Sequence, residues 1–244
     1  MLTYPIGYAP GRRVPLLLSI HGGPAGVFVK GTFSATPNAY PIAAFAAKGF
    51  AILRPNPRGS TGYGNAFRHA NFKDWGGGDY RDLMAGVDKV IEMGVADKDR
   101  LGVMGWSYGG YMAALITTQT NRFKAASIGA AITNLVSDIG TTDIRNYNAH
   151  HMGGQPWEVP EIYARLSPIT HIGKAKTPSL IQHNEGDLRV PISQSYELFN
   201  ALKQRGIEAR MLVIPRQAHV ATEPKAMLKL MQTNLEWFTE KLKP

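Results

Sequence analysis

Short apolar runs alternate with longer amphipathic stretches along this chain. Continuous apolar runs bounded by glycine, proline or charged residues are typical of strands buried on both faces of a sheet. The predicted strands are 16–20, 50–53, 101–104, 123–131, 179–183 and 209–215. Helical spacing or composition predicts helices at 40–48, 80–93, from about 108 to 120, 196–206 and 223–242. Strands that alternate with helices predict one α/β domain over residues 1–244, with a mainly parallel sheet flanked by helices on both faces.

Three segments fall outside this alternation. The turn-rich stretch 5–15 is interpreted as the tail of a hairpin, and the glycine-rich stretch 58–64 as a long surface loop. That loop lacks the Gly-Lys-Ser/Thr ending of a phosphate loop. The pattern breaks down over about 133–168, which predicts an irregular, cap-like insertion of short helices over the sheet edge. Asp79 is predicted to cap the helix at 80–93.

Composition is that of an ordinary globular protein. Hydrophobic residues make up 44% of the 244 positions and charged residues 18%. No apolar run approaches the ~18–20 residues of a membrane span, and residues 1–5 lack the features of a signal peptide. The chain has no cysteine, which fits a reducing compartment, so a cytoplasmic location and no membrane partner are expected.

Charge and histidine content add two possibilities that the sequence does not favour. The net charge is +9, but the basic residues are scattered and Arg12-Arg13 is their only adjacent pair, so no nucleic-acid partner is expected. His150 and His151 are neighbours whose side chains point in different directions, and no cysteine or acidic cluster completes a metal site. Neither a metal nor an organic cofactor is expected.

The stretch 105–110 carries the strongest chemical signal. It contains Gly-Trp-Ser-Tyr-Gly-Gly, with Ser107 between a predicted strand and a predicted helix. A G-x-S-x-G turn needs glycine on both sides because the backbone bends sharply and side chains would collide. This turn raises the serine hydroxyl above the sheet edge. The alternative is a glycine-rich connection in which Ser107 only caps the helix.

A serine nucleophile needs a base and an acid, and chain order selects them. Partners should lie in loops at the carboxyl ends of later strands, in the order serine, acid, histidine. Of the seven histidines, only His219 lies between the last predicted strand and the last helix. Asp187 follows the preceding strand, between Gly186 and Pro191. The sequence therefore predicts Ser107, Asp187 and His219 as a catalytic triad, with Glu185 as the nearest rival acid.

A second loop offers backbone donors. His21-Gly22-Gly23-Pro24 follows the first buried strand, and its glycines leave backbone N–H groups uncovered by side chains. Such a loop can hold an oxyanion, although a plain turn is an equally good interpretation of these residues alone.

Together these motifs resemble one known family. The segments concerned are 21–24 (HGGP), 55–64 (PNPRGSTGYG), 74–79 (DWGGGD), 105–111 (GWSYGGY), 187–191 (DLRVP) and His219. They resemble the catalytic domain of the prolyl oligopeptidase family of serine peptidases, close to its acylaminoacyl-peptidase branch. The resemblance implies an α/β-hydrolase fold with the same triad. It also implies an oxyanion hole formed by the backbone N–H groups of Tyr108 and Gly23.

The sequence departs from the family pattern at three points. Asn184 and Val220 stand where the family usually has glycine, and both positions flank triad members. The β-propeller that usually precedes this domain is not in the chain, which is either an excised catalytic domain or a stand-alone hydrolase. Without a propeller we expect an open site, and uncovered apolar surface could favour homo-oligomers.

The sequence is compatible with two enzymatic functions and with one function of another class. The first is a serine peptidase that cleaves short or N-acylated peptides through an acyl-enzyme. The second is a carboxylesterase that acts on short-chain esters with the same residues. The third, from another class, is a non-catalytic interaction domain. The expected partner is a small peptide or ester substrate.

Overall fold

A seven-stranded sheet forms the centre of the protein. The computed structural model describes residues 1–30 and 39–244. The strands are β1 (Leu2–Thr3), β2 (Val14–Ile20), β3 (Ala51–Leu53), β4 (Ala96–Trp106), β5 (Phe123–Gly129), β6 (Ser179–Asn184) and β7 (Ala209–Ile214). Their order in the sheet is β1-β3-β2-β4-β5-β6-β7. Every neighbouring pair is parallel except β1 and β3, which confirms the predicted mainly parallel sheet.

Helices cover both faces of the sheet. They are α1 (Ile42–Ala47), α2 (Asn65–Arg68), α3 (Gly78–Glu92), α4 (Tyr108–Gln119), α5 (Leu135–Thr141), α6 (Arg145–Met152), α7 (Pro160–Leu166), α8 (Ser193–Gln204) and α9 (Pro224–Leu242), with a 3₁₀ helix at Pro168–Lys174. Alternate residues of a strand point to opposite faces, so Leu16 and Leu18 of β2 join one buried cluster and Leu17 joins another. The first cluster includes α3, α4 and α8, and the second includes α1 and α9. The architecture is that of the α/β-hydrolase fold.

The sheet edge beside β3 differs from the prediction. β1 pairs antiparallel with β3, with Leu2 opposite Leu53, so the chain crosses β3 before it enters β2. The interpretation of 5–15 as the tail of a hairpin was therefore wrong. Turn residues show that the chain reverses there, but they do not show which strand it pairs with.

The segment between β5 and β6 contains three short helices and the 3₁₀ helix. α5 packs on both α6 and α7. Buried Tyr163 of α7 donates a hydrogen bond from its hydroxyl to the carbonyl of Gly154 at 2.9 Å. Of these helices, α6 contributes to the wall of the cavity described below. Across the described ranges, 1–30 and 39–244, no helix is long and apolar enough to cross a membrane.

The parallel strands bring several loops to one edge of the sheet. Because β2, β4, β5, β6 and β7 run in the same direction, their carboxyl ends meet at that edge. The loops after β2, β4, β6 and β7 hold the residues singled out from the sequence: Gly23, Ser107, Asp187 and His219. The fold therefore gathers residues that are far apart in the chain.

Candidate active site

Ser107 occupies a strained turn between β4 and α4. Its backbone has φ 62° and ψ −125°, a conformation that costs a non-glycine residue about 1–3 kcal/mol. The close approach of α4 to the sheet enforces this turn. A Cβ atom on Gly109 would lie 2.2 Å from the carbonyl oxygen of Ile20, and one on Gly105 would lie 2.3 Å from the backbone of Gly109. Only glycine fits both positions, which is why the motif has glycine on both sides of the serine.

The loop after β2 lies against Ser107. A Cβ atom on Gly22 would lie 3.4 Å from the Cβ atom and 3.9 Å from Oγ of Ser107. His21 holds the loop in place, because its Nε2 lies 2.9 Å from Oγ of Ser60 and its Nδ1 lies 2.7 Å from the carbonyl oxygen of Gly22. Burial lowers the pKa of His21, which favours the neutral imidazole.

Two backbone N–H groups near Ser107 are available to a ligand. Tyr108 is the first residue of α4, where an N–H has no partner within the helix. Among the described residues, neither the N–H of Tyr108 nor that of Gly23 donates a hydrogen bond to a protein acceptor. Gly23 and Tyr108 both line the same cavity as Ser107. Donors in this position can stabilise an oxyanion.

Asp187 and His219 form a hydrogen-bonded pair. Nδ1 of His219 lies 2.7 Å from Oδ2 of Asp187, whose side chain is fully buried. The other carboxylate oxygen of Asp187 accepts hydrogen bonds from the backbone N–H groups of Arg189 (2.9 Å) and Val190 (3.0 Å). Nε2 of His183 approaches Oδ2 to 3.5 Å. Burial alone raises the pKa of Asp187, but these hydrogen bonds outweigh it and hold the pKa well below its usual range.

Neighbouring residues fix the position of the histidine loop. Nε1 of Trp106 donates a 2.9 Å hydrogen bond to the carbonyl oxygen of His219. Nδ2 of Asn184 donates one of 2.6 Å to the carbonyl oxygen of Ala218. Asn184, one of the departures from the family pattern, therefore ties this loop to β6. Val220, the other, is 55% exposed and lines the cavity.

The rival acid lies elsewhere. Glu185 is exposed, and Oε2 accepts a hydrogen bond from the backbone N–H of Arg216 at 3.3 Å. Asp187 is the carboxylate that His219 contacts. The structure therefore joins Asp187 to His219, which lines the same cavity as Ser107, and leaves Glu185 on the surface.

A cavity of about 390 Å³ lies over Ser107. Ser107, His219, Gly23 and Tyr108 all line it. Its remaining wall is mostly apolar and includes Trp75, Trp106, Ile132, Ile144, Val190 and Leu230. Its volume lies within the range of small-molecule sites. The helices of 133–168 contribute to this wall through Ile144 and Asn148.

Asp79 has a role that the sequence reasoning missed. It does not cap α3, because Oδ2 of Asp74 accepts the hydrogen bond from the Gly78 N–H at 2.8 Å and Asp79 lies inside the first turn. Asp79 is fully buried and accepts a hydrogen bond from the hydroxyl of Tyr108. Burial raises the pKa of Asp79 to about 6. Asp79 thus anchors the side chain of Tyr108, the residue that follows Ser107. The sequence signal for this role was an acid directly after three glycines.

The raised pKa of Asp79 predicts a pH-dependent stability difference. The native pKa lies above the usual 3.8, so the stability contributed by the protonated form is present at pH 4 and is lost as the pH rises through about 6. Asp79→Asn keeps an acceptor for Tyr108 but cannot ionise. We expect its free energy of unfolding, relative to the wild type, to increase by on the order of 3 kcal/mol from pH 4 to pH 7.

Urea unfolding of both proteins at several pH values measures this difference. Other titrating groups, including buried Asp138, are common to both proteins and cancel. A difference that does not change between pH 4 and pH 7 would contradict the assignment of the raised pKa to Asp79.

The two adjacent histidines have separate surroundings. His151 is buried beside Trp75, whose Nε1 lies 3.4 Å from Nδ1 of His151, while His150 is exposed. Burial lowers the pKa of His151 to about 4. Over the ranges 1–30 and 39–244, no group of three or more histidine, aspartate or glutamate side chains could hold a metal ion.

The fold and this site define the class of α/β-hydrolase-fold serine hydrolases. Comparison with known proteins narrows the class. Residues 38–244 match the family model described as the prolyl oligopeptidase family. The chain belongs to this family of serine peptidases, which confirms the resemblance identified from the motifs.

Individual relatives agree with the family. The uncharacterized peptidase YuxL of Bacillus subtilis is 38% identical over 93% of this chain and 35% of its own length. The acylamino-acid-releasing enzyme of Arabidopsis thaliana is 34% identical over 94% of this chain and 30% of its own. The solved acylaminoacyl peptidase of Pyrococcus horikoshii has a TM-score of 0.90 at 30% identity and covers 99% of this chain and 39% of its own. The chain thus spans about a third of the length of the curated relatives that it matches.

Proposed function

We propose that this chain hydrolyses peptide and acyl bonds with Ser107 as nucleophile, His219 as general base and Asp187 as the acid that orients His219. One observation carries the proposal. His219 and Asp187 are joined by a 2.7 Å hydrogen bond, and His219 lines the same cavity as Ser107 on its strained turn. Chain order, loop position and chemistry support the same assignment.

The mechanism is acyl transfer. Ser107 Oγ attacks the carbonyl carbon of the substrate while Nε2 of His219 accepts the hydroxyl proton. Asp187 keeps the proton of His219 on Nδ1 and stabilises the imidazolium that forms. The N–H groups of Tyr108 and Gly23 donate to the oxyanion. His219 then protonates the leaving group. In the second half of the reaction His219 accepts a proton from a water molecule that attacks the acyl carbonyl carbon, and it returns that proton to Oγ of Ser107 as the acid product is released.

We propose short or N-acylated peptides as substrates. The mostly apolar cavity suits an acyl group or an apolar side chain. The acylamino-acid-releasing and acylaminoacyl-peptidase names of the relatives support the same class. Ester hydrolysis is the second candidate, because the same residues cleave esters and an ester's better leaving group makes fewer demands on His219.

A fluorophosphonate probe tests the nucleophile. We expect the wild type to be labelled at Ser107 and Ser107→Ala to remain unlabelled, because only a serine activated by a base reacts rapidly. Absence of labelling, or equal labelling of the variant, would contradict catalysis and favour an interaction domain.

A pair of substrates separates the two candidate activities. Hydrolysis of acetyl-alanine p-nitroanilide is compared with hydrolysis of p-nitrophenyl butyrate. We expect turnover of both. Ester turnover without detectable anilide turnover would replace the peptidase proposal with the esterase one.

A further inference from the structure

A polar pair is built into the apolar wall of the cavity. Asn148 of α6 is 2% exposed and lines the cavity, and Nδ2 donates a 2.7 Å hydrogen bond to Oδ2 of Asp138 in α5. Asp138 is fully buried and does not line the cavity. The triad and the oxyanion donors use neither residue.

The pairing fixes the orientation of the Asn148 amide. An ionised carboxylate only accepts hydrogen bonds, so it holds the NH₂ group of Asn148 towards itself and leaves the carbonyl oxygen Oδ1 for the cavity. Among the described residues, none donates a hydrogen bond to Oδ1 of Asn148. An apolar wall therefore contains one oriented hydrogen-bond acceptor. Such an acceptor recognises a ligand that brings a donor to it.

The position of Asn148 indicates which part of a substrate it meets. The centroids of the Trp75 and Tyr108 rings lie 5.0 Å apart, and both residues line the cavity with Asn148. His151, three residues after Asn148 on the same side of α6, packs on Trp75 with ring centroids 5.2 Å apart, so Asn148 lies on the wall formed by Trp75 and Tyr108. His219 lies with Trp106, to which it is hydrogen-bonded. Because His219 protonates the leaving group, that group lies on the His219 side, and the wall beside Tyr108 is left for the side chain of the acyl residue.

We infer that Asn148, positioned by Asp138, selects substrates whose acyl residue has a large apolar side chain ending in an uncharged hydrogen-bond donor, such as the phenol of tyrosine. This inference rests on the proposed function and specifies its substrate class. A donorless side chain of the same shape, such as that of phenylalanine, would bury Oδ1 of Asn148 without a partner.

The surroundings of Asp138 support the inference. Oδ1 of Asp138 is buried and has no hydrogen-bond partner in the part of the chain that the structure describes. Within that part, no second hydrogen bond therefore competes with the one between Asp138 and the Asn148 amide. Burial raises the pKa of Asp138 to about 7, and the charge of Asp187 acts in the same direction, so the ionised form that holds the Asn148 amide predominates above that pH. Burial raises the pKa of Tyr163, and the charges of Glu158 and Asp138 act in the same direction. Burying an acid with a single hydrogen bond costs free energy. The one bond that the Asp138 side chain makes to the described residues goes to the amide that reaches the cavity, which fits a role in orienting that amide.

The test compares N-acetyl-tyrosine and N-acetyl-phenylalanine as p-nitroanilides and as p-nitrophenyl esters. For the wild type we expect kcat/KM to be about tenfold or more higher for tyrosine, and for Asn148→Leu we expect the ratio to fall to about one. Asn146→Leu makes the same substitution two positions earlier in α6, at an exposed site outside the cavity, and should keep the wild-type ratio.

Asp138→Asn provides a second variant should Asn148→Leu fail to fold. An asparagine at 138 can also donate, so the amide of Asn148 is free to turn and we expect a ratio between those of the wild type and Asn148→Leu. An unchanged ratio would overturn the positioning role of Asp138. A wild-type ratio near one would overturn the whole inference.

The esters separate this inference from the proposed function. If the anilides are not cleaved, the peptidase proposal fails, but the tyrosine-to-phenylalanine ratio is still measured on the esters. If both substrate types are cleaved without discrimination, the inference alone fails.

Discussion

Replacing Ser107 with alanine is expected to reduce kcat by about 10⁶-fold, and His219→Ala is expected to do nearly the same. Neither residue is effective alone, because the serine hydroxyl is a poor nucleophile until a base accepts its proton. The double variant should therefore be hardly slower than either single variant. This lack of additivity separates a nucleophile and its base from two residues that contribute independently.

Steady-state hydrolysis of an activated ester measures all three variants. His69→Ala, which changes an exposed histidine on the loop after α2, is the control and should retain wild-type kcat. Far-UV circular dichroism and the urea midpoint check that each variant is folded. Losses that multiply in the double variant, or a Ser107→Ala protein with more than a few percent of wild-type activity, would contradict the assignment.

Much of this site was accessible from the sequence because backbone sterics leave few choices at the turn. The glycines at 105 and 109 are required by contacts of 2.2–2.3 Å that any Cβ atom would make, so the motif itself encodes the strand, turn and helix. The parallel sheet then determines where the remaining partners must lie, because only loops at the carboxyl ends of later strands reach that edge. Asp187 and His219 were predicted by this topological reasoning rather than by any local pattern.

Other features were not accessible because they depend on contacts between distant segments. Asp74 and Asp79 are both acids near the start of α3. Local sequence does not show that the first accepts a hydrogen bond from the Gly78 N–H while the second is buried against Tyr108. β1 was missed for a similar reason, since two residues carry no periodicity and their pairing with β3 depends on the crossing of the chain. The polar pair of Asp138 and Asn148 joins two helices whose packing the sequence left undefined.

The departures from the family pattern now have a physical description. Asn184 is not a passive replacement for glycine, because its amide binds the carbonyl oxygen of Ala218, the residue before His219. Together with the hydrogen bond from Trp106 to His219, it holds the histidine loop from two sides. These two hydrogen bonds fix the loop that carries His219 at the cavity it shares with Ser107. Val220 changes the rim of the cavity rather than the catalytic residues.

Asp187→Asn is expected to lower kcat by about 10⁴-fold while the protein remains folded. Asparagine preserves the size of the side chain, and its carbonyl oxygen can still accept from the N–H groups of Arg189 and Val190. Its NH₂ group would then face Nδ1 of His219 and favour the tautomer with the proton on Nε2. In that tautomer His219 cannot accept the proton of Ser107, and the imidazolium also loses its countercharge.

Glu185→Gln is the matched control for this variant. It changes the other acid of the same loop by the same chemistry, but Glu185 is exposed and its carboxylate accepts from the backbone of Arg216 rather than from His219. We expect Glu185→Gln to retain kcat within about threefold of the wild type, since an exposed carboxylate that is not hydrogen-bonded to His219 is screened by water. The two variants, assayed side by side at pH 7 to 8 on the same ester, therefore distinguish the acids directly. Near-normal activity of Asp187→Asn with a large loss in Glu185→Gln would transfer the role of the acid to Glu185. If both variants remained active, His219 would not depend on an acid in this loop at all.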